Sequence, residues 1–307
     1  MKKVYKPLFF LAMLLLGRAM GYLGTRYGLA AHSARHLGKR PLLAVLALLP
    51  VAWLLAVLLH ELGHVWMGQG QGFRFRWLVV GPFMWKREAG GLHFAWNKNL
   101  SLAGGMAICQ PPDAANLRRR FIAFALGGPL GSLAWAAVSL GIYALLPAAT
   151  SAVGRALSLS LAASGGISVM LAVVTLIPAH MGGFYTDGSR ALHLWRNDAV
   201  GQLDLALTTT LAHSMAGTRP RHLPLGLLAA AAALPQELPS KLYAHYYLYL
   251  AALDDDRLEQ ASQHLERRLR PGDNKLSFVV RQKPASVAVD PYNMIIDRRL
   301  DDNVKEL

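Results

Sequence analysis

Two histidines and a glutamate form the motif His60-Glu61-Leu62-Gly63-His64. On an α-helix the two histidines lie one turn apart on the same face, where both imidazoles can bind a single zinc ion. Glu61 lies about 100° around the helix from His60, near enough to take a proton from water at the metal and return it to a leaving amine. The spacing therefore predicts hydrolytic zinc chemistry. The simpler alternative is a helix whose histidines cap or pair at an interface.

A third zinc ligand is needed, because a catalytic zinc ion usually has three protein ligands and one open position. The third histidine of the pattern H-E-x-x-H-x-x-G-x-x-H is absent, since Gly70 occupies its position. Glu88 lies in a basic segment with strand character, so the better candidate is Asp187, which precedes a glycine after an apolar run. Two alternatives remain open: Asp187 can be a helix N-cap or turn residue, and His180 can be the ligand instead.

The motif lies at the end of an apolar run, and the chain contains three such runs. Charged residues make up only 16% of the chain, against about 25% in ordinary soluble domains. Residues 41–59 and 121–154 contain no charged side chain, and no Lys, Arg, Asp or Glu lies between 156 and 186. Because about 20 apolar residues cross a bilayer as a helix, we predict three membrane spans. They lie at about 41–67, 121–147 and 156–178.

The predicted fold class is a mainly α, polytopic membrane protein with three to four transmembrane helices, a small membrane-associated β-element and a C-terminal soluble helical region. Residues 1–40 contain a basic loop and an apolar stretch over 7–24, which is a further span or anchor or, alternatively, a signal peptide. Residues 41–190 form the core, and residues 191–307 form the soluble region with a loose end. Its helices are expected over 197–217, 223–235 and 243–269.

A change of hydrophobic period marks the β-element, which we place at about 72–110. Phe73, Phe75 and Trp77 alternate with arginines, and residues 92–96 alternate again, a pattern typical of strands with one apolar face. Residues 104–108 are a candidate third strand. The segment is therefore expected to form a small antiparallel sheet or loop at the membrane face.

The charge and cysteine content exclude other classes of site. The net charge is +14, and Lys and Arg cluster between the apolar runs, where they can contact anionic lipid head groups. We therefore expect a lipid bilayer, and no nucleic acid, as a partner. The positive-inside rule favours a cytoplasmic C-terminal region. The single cysteine, Cys109, excludes an internal disulfide and a cysteine-based zinc site.

The order of these motifs resembles the site-2 protease family of intramembrane zinc metalloproteases. The HELGH motif lies in one predicted span and Gly127-Gly128-Pro129 lies in the next. The segment LIPAHMGGFYTDG, residues 176–188, follows a later span. The strand-rich segment after HELGH is also similar to the membrane-associated β-element of that family. The resemblance covers about residues 45–190.

The resemblance implies a zinc metalloendopeptidase that cleaves a peptide bond of a membrane-associated substrate within or at the edge of the bilayer. It implies one zinc ion per chain. The residues that match are the zinc ligands His60, His64 and Asp187 and the catalytic Glu61. The chain departs from the family pattern at Thr175, where members often have asparagine, and in the long gap between Pro178 and the aspartate.

A substrate helix must unwind before its backbone can reach the metal. We expect an edge strand within 73–96 to hold the unwound segment by β-addition, while two glycines give room for close backbone approach. A regulatory protein is a further expected partner, at the C-terminal helices. The expected substrate contacts are Phe73, Phe75, Trp77, Gly127 and Gly128.

Two other functions fit part of the pattern. A non-catalytic membrane scaffold or pseudoprotease would bind membrane proteins through its spans and C-terminal helices, but such a protein would be free to lose Glu61. A transporter with a broken helix would bind an ion, but the sequence lacks a second broken segment in a matching position.

Overall fold

The computed structural model describes most of the chain beyond its N-terminus. The described residues are 39–266, apart from 89, 100–103, 148, 150, 182–183 and 237, together with 286–288 and 304–306. The stretch at 7–24, expected to be a span or a signal peptide, and most of the expected loose end lie outside the described residues. The chain folds as two compact units, 1–216 and 217–307.

The first unit is mostly helical, with a small sheet inserted between its first two helices. Its elements are α1 Lys39–Gly70, β1 Arg74–Val80, β2 Phe83–Glu88, β3 Gly91–Trp96, β4 Met106–Gln110, α2 Leu117–Leu145, α3 Ala152–Leu176, β5 His180–Met181, β6 Phe184–Tyr185, α4 Asp187–Arg196 and α5 Ala199–Met215.

Three helices are long and apolar enough to cross a membrane, as predicted. The qualifying segments are Leu46–Gly70, Leu117–Leu145 and Ala152–Leu176. Their outward faces carry exposed apolar side chains, whereas serines are buried between them. This arrangement is the reverse of a water-soluble bundle and suits lipid as the surrounding solvent. The exposed apolar residues include Leu46, Val51, Leu133, Val138, Val153 and Leu157.

Helices α1 and α2 cross with their backbones in contact. A Cβ atom on Gly131 would lie 2.7 Å from the carbonyl oxygen of Leu59 and 2.9 Å from the Cα of Gly63. A Cβ atom on Gly63 would overlap the carbonyl oxygen of Gly127. Small residues permit this close approach between apolar helices, and it presses the HELGH face of α1 against α2.

One serine joins all three long helices. The hydroxyl of Ser164 on α3 accepts a hydrogen bond from Nε1 of Trp135 on α2, at 2.9 Å. The same hydroxyl donates to the carbonyl oxygen of Ala52 on α1, at 3.3 Å. Such interhelical bonds are worth about 0.6 kcal/mol each in membrane bundles, so their main effect is to fix the register of the helices.

Proline marks the end of α3 but not the end of α2. Helix α3 stops at Leu176, two residues before Pro178, as the sequence predicts. Pro129 lies inside α2. Because proline has no N–H group, the carbonyl of Ala125 has no donor four residues later. Helices in membranes tolerate this where neighbouring groups pack closely.

The sheet is antiparallel, with strand order β3-β2-β1-β4. The three predicted strands correspond to β1, β3 and β4. Strand β2 was not predicted, because Phe83, Met84 and Trp85 are all apolar and do not alternate with polar residues. A tight turn containing Gly81, with φ of 55°, joins β1 to β2. Trp77 of β1 lies opposite Lys86 of β2.

Helix α4 was also not predicted, and α5 belongs to the first unit rather than to the C-terminal region. In the second unit, the helical segment predicted over 243–269 forms two short helices, as expected around Asp254–Asp256, and Asp256 between them adopts φ of 55°. The elements of the second unit are a 3-10 helix Pro220–His222, α6 Leu225–Ala232, α7 Lys241–Asp254, α8 Leu258–Glu266, β7 Ser286–Ala288 and β8 Val304–Glu306.

The helix crossing makes a testable prediction about two glycines of α2. Alanine raises helix propensity equally at both positions, but only at Gly131 does its methyl group meet the backbone of α1; nothing lies within 4 Å of a Cβ at Gly141. We expect Gly131→Ala to lower the thermal unfolding midpoint in detergent micelles by about 5 °C, since overpacking costs about 1–3 kcal/mol. Equal midpoints for Gly131→Ala and Gly141→Ala would contradict the close crossing.

Candidate metal centre

Three predicted ligand residues lie together although they are far apart in sequence. Nε2 of His60 is 3.2 Å from Oδ2 of Asp187, and Nε2 of His64 is 3.4 Å from Oδ1 of the same carboxylate. Both histidines are buried, and the aspartate side chain is 16% exposed. In the part of the chain that the structure describes, these residues form the one group of three that could hold a metal ion.

The other ring nitrogen of each histidine is held by α2. Nδ1 of His64 lies 2.8 Å from the carbonyl oxygen of Phe124. A carbonyl only accepts, so this Nδ1 carries the hydrogen and donates it. In the neutral ring, which is the form that binds a metal, the lone pair is therefore on Nε2. The N–H of Gly128 also lies 3.2 Å from Nδ1 of His64. This contact is not a hydrogen bond, because Nδ1 cannot accept a hydrogen while it donates one to Phe124. Nδ1 of His60 lies 2.9 Å from the hydroxyl of Ser132.

The spacing of the ligand atoms fits a metal ion. Nitrogen and oxygen ligands of one tetrahedral ion lie about 3.3 Å apart, and the two measured distances between histidine and aspartate fall on either side of that value. A Cβ atom on Gly128 would overlap Nε2 of His64 and lie 2.6 Å from Nε2 of His60. The missing side chain of Gly128 therefore lets both imidazole rings lie against the backbone of α2.

Thr186 places Asp187 by capping α4. Its hydroxyl donates to the carbonyl oxygen of Ile177 at 2.8 Å, and it accepts from the backbone N–H groups of Ala179 and Ser189, at 3.0 and 3.3 Å. The N-cap of α4 is thus Thr186, and Asp187 is the first helical residue. The capping role considered for Asp187 belongs to its neighbour, and the carboxylate is left to face the histidines.

Gly188 completes this attachment. A Cβ atom there would overlap the carbonyl oxygen of Leu176, the last residue of α3. The start of α4 therefore packs directly on the end of α3. In the segment Thr186-Asp187-Gly188, the threonine forms the hydrogen bonds, the aspartate faces the histidines and the glycine permits the close packing.

The surroundings of Asp187 favour the ionised form of its carboxyl. Burial alone raises the pKa of this carboxyl, but without a metal the charge of protonated His64 and hydrogen bonds from both histidines outweigh burial and hold the pKa below its ordinary value. Its position in the first turn of α4 favours the same ionised form, because the helix dipole is positive there. An ionised carboxylate is the form that binds a metal.

Glu61 lies beside the three-residue group rather than in it. Its side chain is buried, and a Cβ atom on Gly105 would overlap its Oε1 atom. Gly105 has φ of 111° and directly precedes β4. The carboxylate that was predicted to act as the base therefore contacts the beginning of a sheet strand.

The predicted substrate contacts on β1 have other neighbours. Phe73 is 3% exposed and packs on Phe121 and Phe124 of α2, with ring centroids 5.0 and 6.1 Å apart. Phe75 and Trp77 are half-buried in a strand that pairs with β2 on one side and β4 on the other. The outer strands of the described sheet, where a further strand could be added, are β3 and β4.

The predicted glycine contacts and two further residues also have defined places. Gly127 packs against α1, where its Cβ would lie 2.7 Å from the Cβ of Met67. The hydroxyl of Thr175 donates within its own helix to Ala172, at 3.4 Å. The backbone of His180 pairs with Tyr185 in a two-stranded ribbon, and its side chain lies outside what the structure describes.

Sequence reasoning missed Ser132 and Thr186. A signal for Ser132 exists, because it follows Gly128 by one helical turn and so lies on the same face of α2. Threonine directly before a short helix is a preferred N-cap, which marks Thr186. The carbonyl of Phe124 has no sequence signal, since every residue carries one.

Comparison of the chain with known proteins identified no relative. No protein-family model, no curated protein and no solved structure matches this chain. What the centre does is therefore inferred from the residues of the chain itself.

The close contact of Gly128 with both imidazoles can be tested by adding one methyl group at this position. We expect Gly128→Ala to abolish stoichiometric binding of Zn²⁺ to the purified protein, because the methyl group would overlap both imidazole rings and displace their Nε2 atoms. The measurement is metal content after dialysis, with Gly141→Ala as the matched control on α2. Full metal content in Gly128→Ala would show that the ion, if bound, lies elsewhere.

Proposed function

We propose that the chain is an intramembrane zinc metalloendopeptidase of the site-2 protease type, which hydrolyses a peptide bond of a membrane-associated substrate. The observation that carries this proposal is the convergence of two imidazole Nε2 atoms from an apolar helix with one carboxylate from α4. Polar groups in a membrane-spanning helix are costly and are found where they serve a function.

The ligand set favours zinc. Two histidines and one carboxylate are the protein ligands of several catalytic zinc sites, and three ligands leave one position open for water or substrate. The second ring nitrogen of each histidine is hydrogen bonded, which is the usual way that proteins orient such ligands. The chain would hold one ion through His60, His64 and Asp187.

The chain's own residues supply proton transfer. A zinc ion bound by the three ligands would lower the pKa of water and polarise the scissile carbonyl. Glu61 takes a proton from the attacking water as the new carbon–oxygen bond forms, and it delivers that proton to the nitrogen as the carbon–nitrogen bond breaks. Its burial excludes bulk water that would compete for the proton.

Charge suggests how the protein lies in the membrane. The sheet joins the end of α1 to the start of α2, and this end of the long helices carries exposed arginines. The positive-inside rule would place this end, with the metal centre near it, on the cytoplasmic side. The exposed arginines are Arg74, Arg87, Arg118 and Arg119.

Strand β4 is the better edge for a substrate. It is the outer strand next to β1, and it begins directly after Gly105, which contacts Glu61. Strand β3 forms the opposite edge of the sheet and is separated from β4 by two strands. An unwound substrate segment added to β4 would pass beside the catalytic carboxylate, whereas one added to β3 would not.

The proposed chemistry separates metal binding from proton transfer. We expect Glu61→Gln to retain zinc and to lose about 10²–10⁴-fold in cleavage rate, the usual contribution of a general base. Asp187→Asn should weaken zinc binding, because an amide is a poorer ligand than a carboxylate. Metal content of the purified proteins and mass spectrometry of new N-termini in membranes that contain each variant give the two readouts.

Glu88→Gln is the control, since Glu88 is an exposed glutamate on β2. It should retain both zinc and cleavage. A wild-type protein without metal, or cleavage that persists in Glu61→Gln, would overturn the enzyme proposal. Membrane proteins captured equally by the wild type and Glu61→Gln without any cleavage would favour the scaffold function instead.

The β4 edge can be tested by photo-crosslinking in the Glu61→Gln protein, which should retain uncleaved substrate. A photoreactive amino acid at Ala107 on β4 is compared with one at Ala95 on β3, since both alanines are half-buried on outer strands. We expect crosslinks to membrane proteins from position 107 in clear excess over position 95. Equal yields, or an excess from position 95, would reject β4 as the binding edge.

A further inference from the structure

The two histidines of the metal centre have hydrogen-bond partners of different kinds. His64 donates from Nδ1 to a backbone carbonyl, which can only accept. His60 contacts the hydroxyl of Ser132, which can either accept or donate because its hydrogen rotates about the carbon–oxygen bond. The tautomer of His64 is therefore set by its partner, whereas that of His60 can change.

Both tautomers of His60 keep its hydrogen bond to Ser132. When Ser132 accepts from Nδ1, the lone pair on Nε2 is available to a metal. When Ser132 donates to Nδ1, Nε2 carries the hydrogen and faces Oδ2 of Asp187 at 3.2 Å. In either arrangement Nδ1 of His60 retains its partner, whose loss would cost about 1–3 kcal/mol.

The position of Ser132 makes it a specific partner rather than a chance neighbour. Its side chain is fully buried, at 0% exposure, so water does not replace it when it is removed. It lies one turn after Gly128 on the face of α2 that meets both histidines. Ser139, one heptad later, is also 0% exposed, but it donates to Ala136 in its own helix at 3.3 Å.

We propose that Ser132 is the positioning residue of the metal centre: it orients His60 toward Asp187 and reverses its hydrogen bond when metal binds or leaves. The proposal rests on the metal centre of the proposed function. It adds the residue that sets the affinity of this centre for the metal ion and allows the ion to bind reversibly. Ser132 acts through His60 and does not contact the metal.

The test compares two serine-to-alanine variants of α2. Ser132→Ala and Ser139→Ala remove the same atom from fully buried positions. Each purified full-length variant is freed of metal and titrated with Zn²⁺ and with Co²⁺ in detergent micelles. We expect Ser132→Ala to weaken binding about 10–100-fold, as loss of a ligand's hydrogen-bond partner does, and to change the visible Co²⁺ spectrum. Ser139→Ala should match the wild type in both.

Thermal unfolding without and with zinc distinguishes an effect of Ser132 on the orientation of His60 from a general effect on helix packing. Without metal, Ser132→Ala should unfold at a lower temperature than Ser139→Ala, because Nδ1 of His60 loses its hydrogen-bond partner. Zinc should raise the unfolding temperature of Ser132→Ala less than that of Ser139→Ala. Equal metal affinity in Ser132→Ala and the wild type would overturn the proposal, as would equal weakening in both variants. A wild type that binds no metal would instead overturn the metal centre itself.

Discussion

Backbone contact between α1 and α2 is the constraint on which the rest of the first unit depends. Gly63 lies within the HELGH motif, and it meets Gly127 and Gly131 without any intervening side chain. Because the helices approach so closely, the histidine face of α1 reaches α2 backbone groups that would be out of range across ordinary side chains. The hydrogen bond from His64 to the carbonyl of Phe124 exists only at this separation.

The candidate metal centre joins three elements that contribute in different ways. Helix α1 carries both imidazoles and the carboxylate of Glu61, α4 carries Asp187, and α2 carries no ligand but orients the ring nitrogens. The division follows from the apolar surroundings, where every polar atom needs a partner. A helix that presents glycines, a serine and a backbone carbonyl can supply those partners without filling the space between the ligands.

The sequence predicts the elements of this arrangement better than their contacts. Charge-free runs reveal the three long helices, and the spacing of His60 and His64 reveals a shared face, because both patterns depend on local geometry. Asp187 could be singled out but not separated from a capping residue, since its role depends on the capping of α4 by Thr186. The partners of the imidazoles depend on how α2 crosses α1. That crossing is a long-range property, and residue types alone do not encode it.

The attachment of α4 to α3 has a consequence for biosynthesis. The histidines are made early, whereas Asp187 follows them by more than a hundred residues and reaches them through the packing of α4 on α2 and the Thr186 and Gly188 contacts with the end of α3. A ribosome delivers the chain from its N-terminus, so the first helix is complete long before Asp187 is made. The candidate centre is thus assembled last, and a nascent chain in which α4 has not yet folded carries the two histidines without the carboxylate that they face.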